Sequence, residues 1–408
     1  MSDIDTHLIR KDFPILDQAI NGKPLVYLDN AATSQTPIQV MDVIRHYYTS
    51  INSNIHRAAH KLARDATAAY EQARETLARH LNCKHAHEVI FTSGTTDSIN
   101  LVSNTLALSG QISKGDKIVI SALEHHANIV PWQMLCQHTG ASLEVVPIHD
   151  DGTLDMDTYE NMLDDRVKLV AISHVSNALG TINPVETIVS MAKKQGALVL
   201  LDGAQAAPHF KIDVQALDCD FYVFSGHKIY GPTGIGILYG KEQILNELPP
   251  WRGGGEMIKE VTFEHTTYND LPFKYEAGTP DIEGAIAMAA AVDYMNDIGL
   301  ERIAAHETKL EQQTTAALKE IKGIQLFGTA PQKSSVVSFR IDGIHHYDLG
   351  TLLDQMGVAV RTGHHCCQPL MARYGITGTV RASFAVYNTE QEVDALIEAT
   401  KKAASMLG

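Results

Sequence analysis

The stretch "DCDFYVFSGHKIYGPTGIGILYG", residues 218–240, decides the fold. Two short apolar runs, "FYVFSG" (221–226) and "GIGILYG" (234–240), flank a turn rich in glycine and proline. Runs that are apolar at every position, rather than at every second one, belong to strands buried on both faces. Such strands build mostly parallel sheets with helices on either side. Lys228 stands just past the first run, between Ser225, His227 and the turn. Ligands of such sheets bind beyond the carboxyl ends of the strands. A lysine desolvated there can form a Schiff base, although taken alone it reads as a surface lysine in a turn. The glycines of "GPTGIG" run in the wrong order for a dinucleotide fingerprint, and no GxxxxGK[ST] occurs.

The pattern repeats on both sides of this stretch. "EVIFTSG" (88–94), "KIVISAL" (117–123), "SLEVVPI" (142–148), "VKLVAISHVS" (167–176) and "ALVLLDGAQ" (197–205) read as strands. Helical spacing lies between them at 95–108, 128–140 and 184–196, the last with Pro at its start and Gly at its end. Polar clusters fall at the strand ends: "SGTT", "EHH", "HVSN", "DGAQ" and "SGHK". Past about residue 285 the order changes to a long helical stretch (roughly 284–320), then strands "SSVVSFRI", "VAVRTG" and "TVRASFAVYN". A final amphipathic helix follows, capped by Thr389. The expected division is an N-terminal arm at 1–20 packing with the small domain, a large α/β domain at 21–284, and a small α+β domain at 285–408.

Composition narrows the function. The 408 residues carry 33 Lys+Arg against 48 Asp+Glu, a formal charge of −15, which argues against nucleic acid or an anionic membrane as the main partner. The N-terminus lacks a cationic start followed by an apolar run, and the longest small-apolar run (284–292) is too short to span a bilayer. A cytoplasmic protein is expected. Five scattered cysteines (Cys83, Cys136, Cys219, Cys366, Cys367) are no disulfide framework.

Each remaining cluster admits a functional and a plain reading. Asp202 at a strand end suits a carboxylate set against a pyridine nitrogen, or a turn cap. Thr95 and Thr96 open a helix whose first N–H groups can hold a phosphate, with Ser225 and His227 closing the site from the other side. His125 can stack on a planar cofactor or move protons, or simply cap a turn. Arg381 can clamp a carboxylate or make a surface ion pair. "RTGHHCC" (361–367) has no metal-type spacing. A thiolate nucleophile there would draw on nearby His or Arg361 to lower its pKa. Two loop cysteines without a role are the alternative.

Taken together, "VYLDNAAT" (26–33), "EHHANIVPWQ", "HVSNALGT", "LDGAQ", "YEAGTP" and "RTGHHC" resemble the class V aminotransferase family of pyridoxal phosphate enzymes. Within it they resemble the SufS-type (group II) cysteine desulfurases, and the likeness covers nearly the whole chain.

The resemblance implies a type I fold: a large domain with a mostly parallel, mixed seven-stranded sheet, a small C-terminal domain, and a homodimer. It makes Lys228 the Schiff-base lysine of pyridoxal 5'-phosphate. Asp202 would pair with the ring nitrogen, Gln205 contact the ring hydroxyl and His125 stack on the ring. Thr95, Thr96, Ser225 and His227 would hold the phosphate, and Thr279 would reach the partner subunit's phosphate. Arg381, Asn177 and Arg361 would bind substrate, and Cys366 would be the nucleophile. The implied reaction takes L-cysteine to L-alanine and passes sulfur from a Cys366 persulfide toward iron–sulfur cluster assembly, through a SufE- or SufU-like acceptor. The alternative is lyase activity on L-selenocysteine. One departure is Cys367, where the family usually has a small residue, often Ala; a sulfur-shuttling role for it stays open.

Overall fold

The computed structural model describes residues 4–408, so the first three residues of the expected N-terminal arm lie outside the described residues. The larger sheet has seven strands: β1 (Val89–Thr92), β2 (Lys117–Ser121), β3 (Ser142–Val146), β4 (Val167–Ser173), β5 (Leu198–Asp202), β6 (Phe221–Ser225) and β7 (Gly236–Gly240). Their order is β1-β7-β6-β5-β4-β2-β3. The run β3-β2-β4-β5-β6 is parallel, while β7 pairs antiparallel with β6 and with β1. Strand β6 shows why an unbroken apolar run was required. Phe221 and Val223 belong to one core and Tyr222 and Phe224 to the opposite one, all fully buried. Each such side chain contributes on the order of 2 kcal/mol of burial.

Helices cover the faces. Among them α1 (Lys61–His80), α2 (Thr95–Ser109) and α3 (Ile282–Ile298) bracket the larger sheet, with α1 and α3 packed on each other. Arg74 of α1 is buried in a two-pronged ion pair with Glu276 (2.7 and 2.9 Å). Glu276 also accepts from the Phe91 N–H on β1 and from the Tyr70 hydroxyl.

The second sheet is antiparallel: β8 (Ile324–Phe327), β9 (Val336–Ile341), β10 (Arg361–Gly363) and β11 (Thr379–Ser383), in the order β8-β9-β11-β10. Helices α4 (Leu300–Lys319) and α6 (Glu390–Leu407) pack with it, as does a helix at His346–Gln355 that lies on β10 and β11, while α5 (Gln368–Arg373) follows the cysteine loop. Leu310, Val337, Phe339, Val380 and Leu396 form its separate core. Thr389 caps α6 by accepting from the Glu392 N–H, as its sequence predicts.

Two expectations need adjusting. The single helical stretch at 284–320 is two helices, because Gly299 takes φ +95° and ends α3 before α4 begins. "VAVRTG" also splits. Val358–Ala359 pairs in parallel with Val26–Tyr27, whereas β10 joins β11. Among the described residues no helix is long and apolar enough to cross a membrane.

Candidate active site

The polar strand ends converge. Thr95 and Thr96 follow β1 and open α2. His125 lies four residues past β2, and Asn177 four past β4. Asp202 ends β5, with Gln205 three residues on. Ser225 ends β6, and His227 and Lys228 occupy the single turn after it. Facing them across the opening are Arg361, His365 and Cys366 from β10 and its exit loop, and Arg381 from β11. All of these line one cavity of about 210 Å³, together with Ala31 and Ala32 of the N-terminal segment.

Local backbone fixes the cradle at the α2 terminus. Gly94 takes φ +144°, and a Cβ there would come within 3.2 Å of Ser225 Oγ. Ser225 Oγ accepts from the Thr95 N–H and lies 2.8 Å from Thr95 Oγ1. The "DGAQ" turn needs its glycine for a different reason. A Cβ at Gly203 would fall 2.0 Å from the Tyr222 ring. Gln205 is held by donating from Nε2 to the Ala31 carbonyl (2.7 Å).

Burial dominates the electrostatics. It lowers the Lys228 pKa, with Arg381 adding to the effect and Asp202 opposing it. Lys228 lines the cavity and makes no hydrogen bond or ion pair among the described residues. Burial raises the Asp202 pKa, and the Lys228 charge and the Ala204 N–H work against that rise. Burial and the nearby Lys228 charge push His125 down to about 3 and His227 to about 4, so both rings are neutral near pH 7. His125 Nδ1 accepts from the Ala127 N–H and thereby sets its own turn. Arg381 is buried, donating to the Asn177 carbonyl (2.8 Å) and to Asp29 (3.1 Å), while its Nε has no partner.

The two cysteines differ sharply. Cys366 lines the cavity and is partly exposed. Cys367 is fully buried, its thiol donating to Asn177 Oδ1 (3.1 Å) and pushed by burial up to about 12. Asn177 donates from Nδ2 to the His365 carbonyl (2.7 Å). Both ends of its side chain therefore hold the cysteine loop. Thr279 is the one site candidate outside the cavity. It lies in a separate cleft with Asp97, Arg252 and Glu276.

Several contributors carry no sequence signal of their own. Asp29 sits inside "VYLDNAAT" and pairs with Arg381, with Arg361 3.7 Å away. Glu124 sits inside "EHH". It is fully buried and accepts from Ser121, from Asn128 (2.7 Å) and from the Ser173 N–H. Burial raises its carboxyl to about 7.

This donor set fits pyridoxal phosphate. A reactive amine, a buried carboxylate, a neutral imidazole, and hydroxyls at a helix N-terminus are the groups that its aldehyde, ring nitrogen, ring face and phosphate require.

Residues 26–396 match the family described as Aminotransferase class-V. A protein of Synechococcus elongatus named cysteine desulfurase is 52% identical over 398 residues. That alignment covers 98% of this chain and 63% of the relative, so the chain spans less than two thirds of the relative's length. A cysteine desulfurase of Salmonella agona is 49% identical over 401 residues, with 98% of both chains covered. Among solved structures, the Escherichia coli cysteine desulfurase CsdA in its S-sulfonic acid form matches with a TM-score of 0.92 at 40% identity, covering 100% of both chains.

Proposed function

Because the chain belongs to the aminotransferase class-V family, we propose that it is a pyridoxal-phosphate-dependent cysteine desulfurase that converts L-cysteine to L-alanine. The observation that carries this reading is one cavity lined by Lys228 and Asp202 from the larger sheet and by Cys366 and Arg381 from the smaller. A transaminase needs the first pair. The thiol on the facing loop is what sulfur removal adds.

Lys228 is the covalent anchor, and Thr95, Thr96, Ser225 and His227 hold the phosphate. Asp202 keeps the ring nitrogen protonated, and Gln205 meets the ring hydroxyl. Bound there, the cofactor supplies an electron sink for charge developing at the substrate Cα. Neutral His125 stacks without adding charge. Arg381 offers a planar fork to the substrate carboxylate, with Arg361 beside it. The Asn177 side chain acts on the same side by fixing the cysteine loop. Lys228, its pKa lowered, takes the proton from Cα. The Cys366 thiolate then attacks the substrate sulfur. The carbon–sulfur bond breaks, a sulfur–sulfur bond forms on Cys366, and the three-carbon remainder is protonated and leaves as alanine.

The reading extends to a small domain at 285–408 that carries the nucleophile, a large domain at 21–284, and an arm at 1–20. Arg10, which donates to the Tyr387 carbonyl and to Glu392, supports the arm's place. It also includes a cytoplasmic homodimer in which Thr279 meets the partner subunit's phosphate, and a SufE- or SufU-like acceptor feeding iron–sulfur assembly. The acceptor is motivated by the short cysteine loop, which runs from Gly363 directly into α5.

The test is the visible spectrum of the purified protein before and after L-cysteine. A yellow band that shifts, with alanine released and sulfur mapped to Cys366 by peptide mass, supports the proposal. Protein that stays colourless after incubation with pyridoxal phosphate refutes it.

A further inference from the structure

The loop that carries Cys366 has an unusual backbone. His365 (φ +52°) and Cys366 (φ +56°) are consecutive non-glycine residues in the left-handed region. L-residues avoid that region, and pairs of them persist only where the surroundings hold them. Two hydrogen bonds from a single residue outside the loop flank the nucleophile. The His126 N–H donates to the Cys366 carbonyl (2.7 Å), and the Gln368 N–H donates to His126 Nε2 (3.1 Å). The His364 ring lies 5.6 Å from that of His126, and its Nδ1 accepts from the Cys366 N–H (3.1 Å).

We infer that His126 is a positioning residue, which fixes Cys366 relative to the His125 ring by spanning the cysteine loop from Cys366 to Gln368. His126 follows His125, which faces the cavity, so one turn sets both the ring and the thiol. The bond from Gln368 requires an unprotonated Nε2, hence a neutral ring with its proton on Nδ1. Burial and the neighbouring His364 lower the His126 pKa and favour that state. His126 is not among the residues lining the cavity, so its effect on the reaction passes through Cys366. The inference rests on the desulfurase reading for its kinetic consequence and not for its structural one.

The experiment uses the full chain loaded with pyridoxal phosphate, as wild type, H126A and H126Q. In H126A the spectral response to L-cysteine and the KM stay within about twofold, because substrate entry does not use this contact. Alanine formation falls about tenfold, the scale of one lost hydrogen bond. H126Q recovers most of the rate, since its amide oxygen accepts from the Gln368 N–H. Iodoacetamide alkylation of Cys366 is measured in parallel and accelerates in H126A only. Wild-type rates and alkylation in H126A overturn the inference, as does equal impairment of both variants. A wild-type protein that releases no alanine sinks the desulfurase reading instead, and the alkylation rates then judge His126 alone.

Discussion

Arg74→Ala tests what ties α1 to the sheet beneath the site. The guanidinium grips both oxygens of Glu276 and also donates to the Val89 carbonyl (2.8 Å) and to Glu71 (3.0 Å). Burial works against its charge, and Glu276 more than restores it, so the Arg74 pKa is raised. Truncation leaves Glu276 buried with only the Phe91 N–H and the Tyr70 hydroxyl as donors. Removing one partner of such a pair costs about 3–5 kcal/mol. At roughly 2.1 cal/mol/K of unfolding entropy per residue, a chain of this length loses about 4–6 °C in melting temperature. The assay is urea unfolding followed by circular dichroism, with the midpoint converted at constant slope. R74M/E276M removes both charges and recovers more than half of the loss, because no charge is then left unpaired. A cost below about 1 kcal/mol for Arg74→Ala, or a double variant worse than the single, refutes the reasoning.

Three further outcomes follow from the site. Arg381→Lys keeps the charge but loses the fork, so the KM for L-cysteine rises about tenfold or more while the L-cysteine-free spectrum is unchanged. Cys367→Ser leaves the persulfide on Cys366 alone, read by peptide mass, because the Cys367 thiol is buried against Asn177; sulfur found on Cys367 in the wild type contradicts this. Stability depends on pH through buried histidines. His125 (about 3) and His174 (about 4) stay neutral in the fold and protonate near 6.5 once unfolded, so the unfolded chain binds more protons between about 4 and 6.5 and stability rises with pH there. Glu124 opposes this, since its raised carboxyl loses stability as pH climbs from 4.5 to about 7. Urea midpoints therefore fall from pH 6.5 to pH 5, and fall further in Glu124→Gln; equal midpoints in both proteins contradict the assignment.

The strand ends were legible because a doubly covered sheet forces its sequence into apolar runs, and polar residues are left only where strands stop. That is why the clusters around Thr95, His125, Asn177, Asp202 and Lys228 stood out. What the sequence hid is tertiary. Asp29 looks like any turn aspartate until β11 brings Arg381 against it. Glu124 reads as one acid among many until its burial is seen. The resemblance places Asn177 at the substrate, and it does line the cavity, but that its amide also meets His365 and Cys367, 188 and 190 residues away, shows only in the fold. Thr279 shares a motif with the site and not its cavity. Cys366 and Cys367 are neighbours in sequence, and only the left-handed loop turns one toward the cavity and the other into the core.

The stitching of the first segment to the last strands bears on how the protein is made. Val26–Tyr27 pairs with Val358–Ala359, and Asn30 donates to the Ser383 carbonyl 353 residues away. On the ribosome, residues 26–30 emerge well before these partners, which lie more than 300 residues further along the chain. The larger sheet can collapse meanwhile, since its strands lie between 89 and 240. Asp29 and the small sheet have to dock afterwards, against the entropy of closing a loop of more than 300 residues. The finished pocket is thus a late event in biosynthesis, and a nascent chain stalled before β11 has the lysine, the aspartate and the α2 terminus but no Arg381 to close over them.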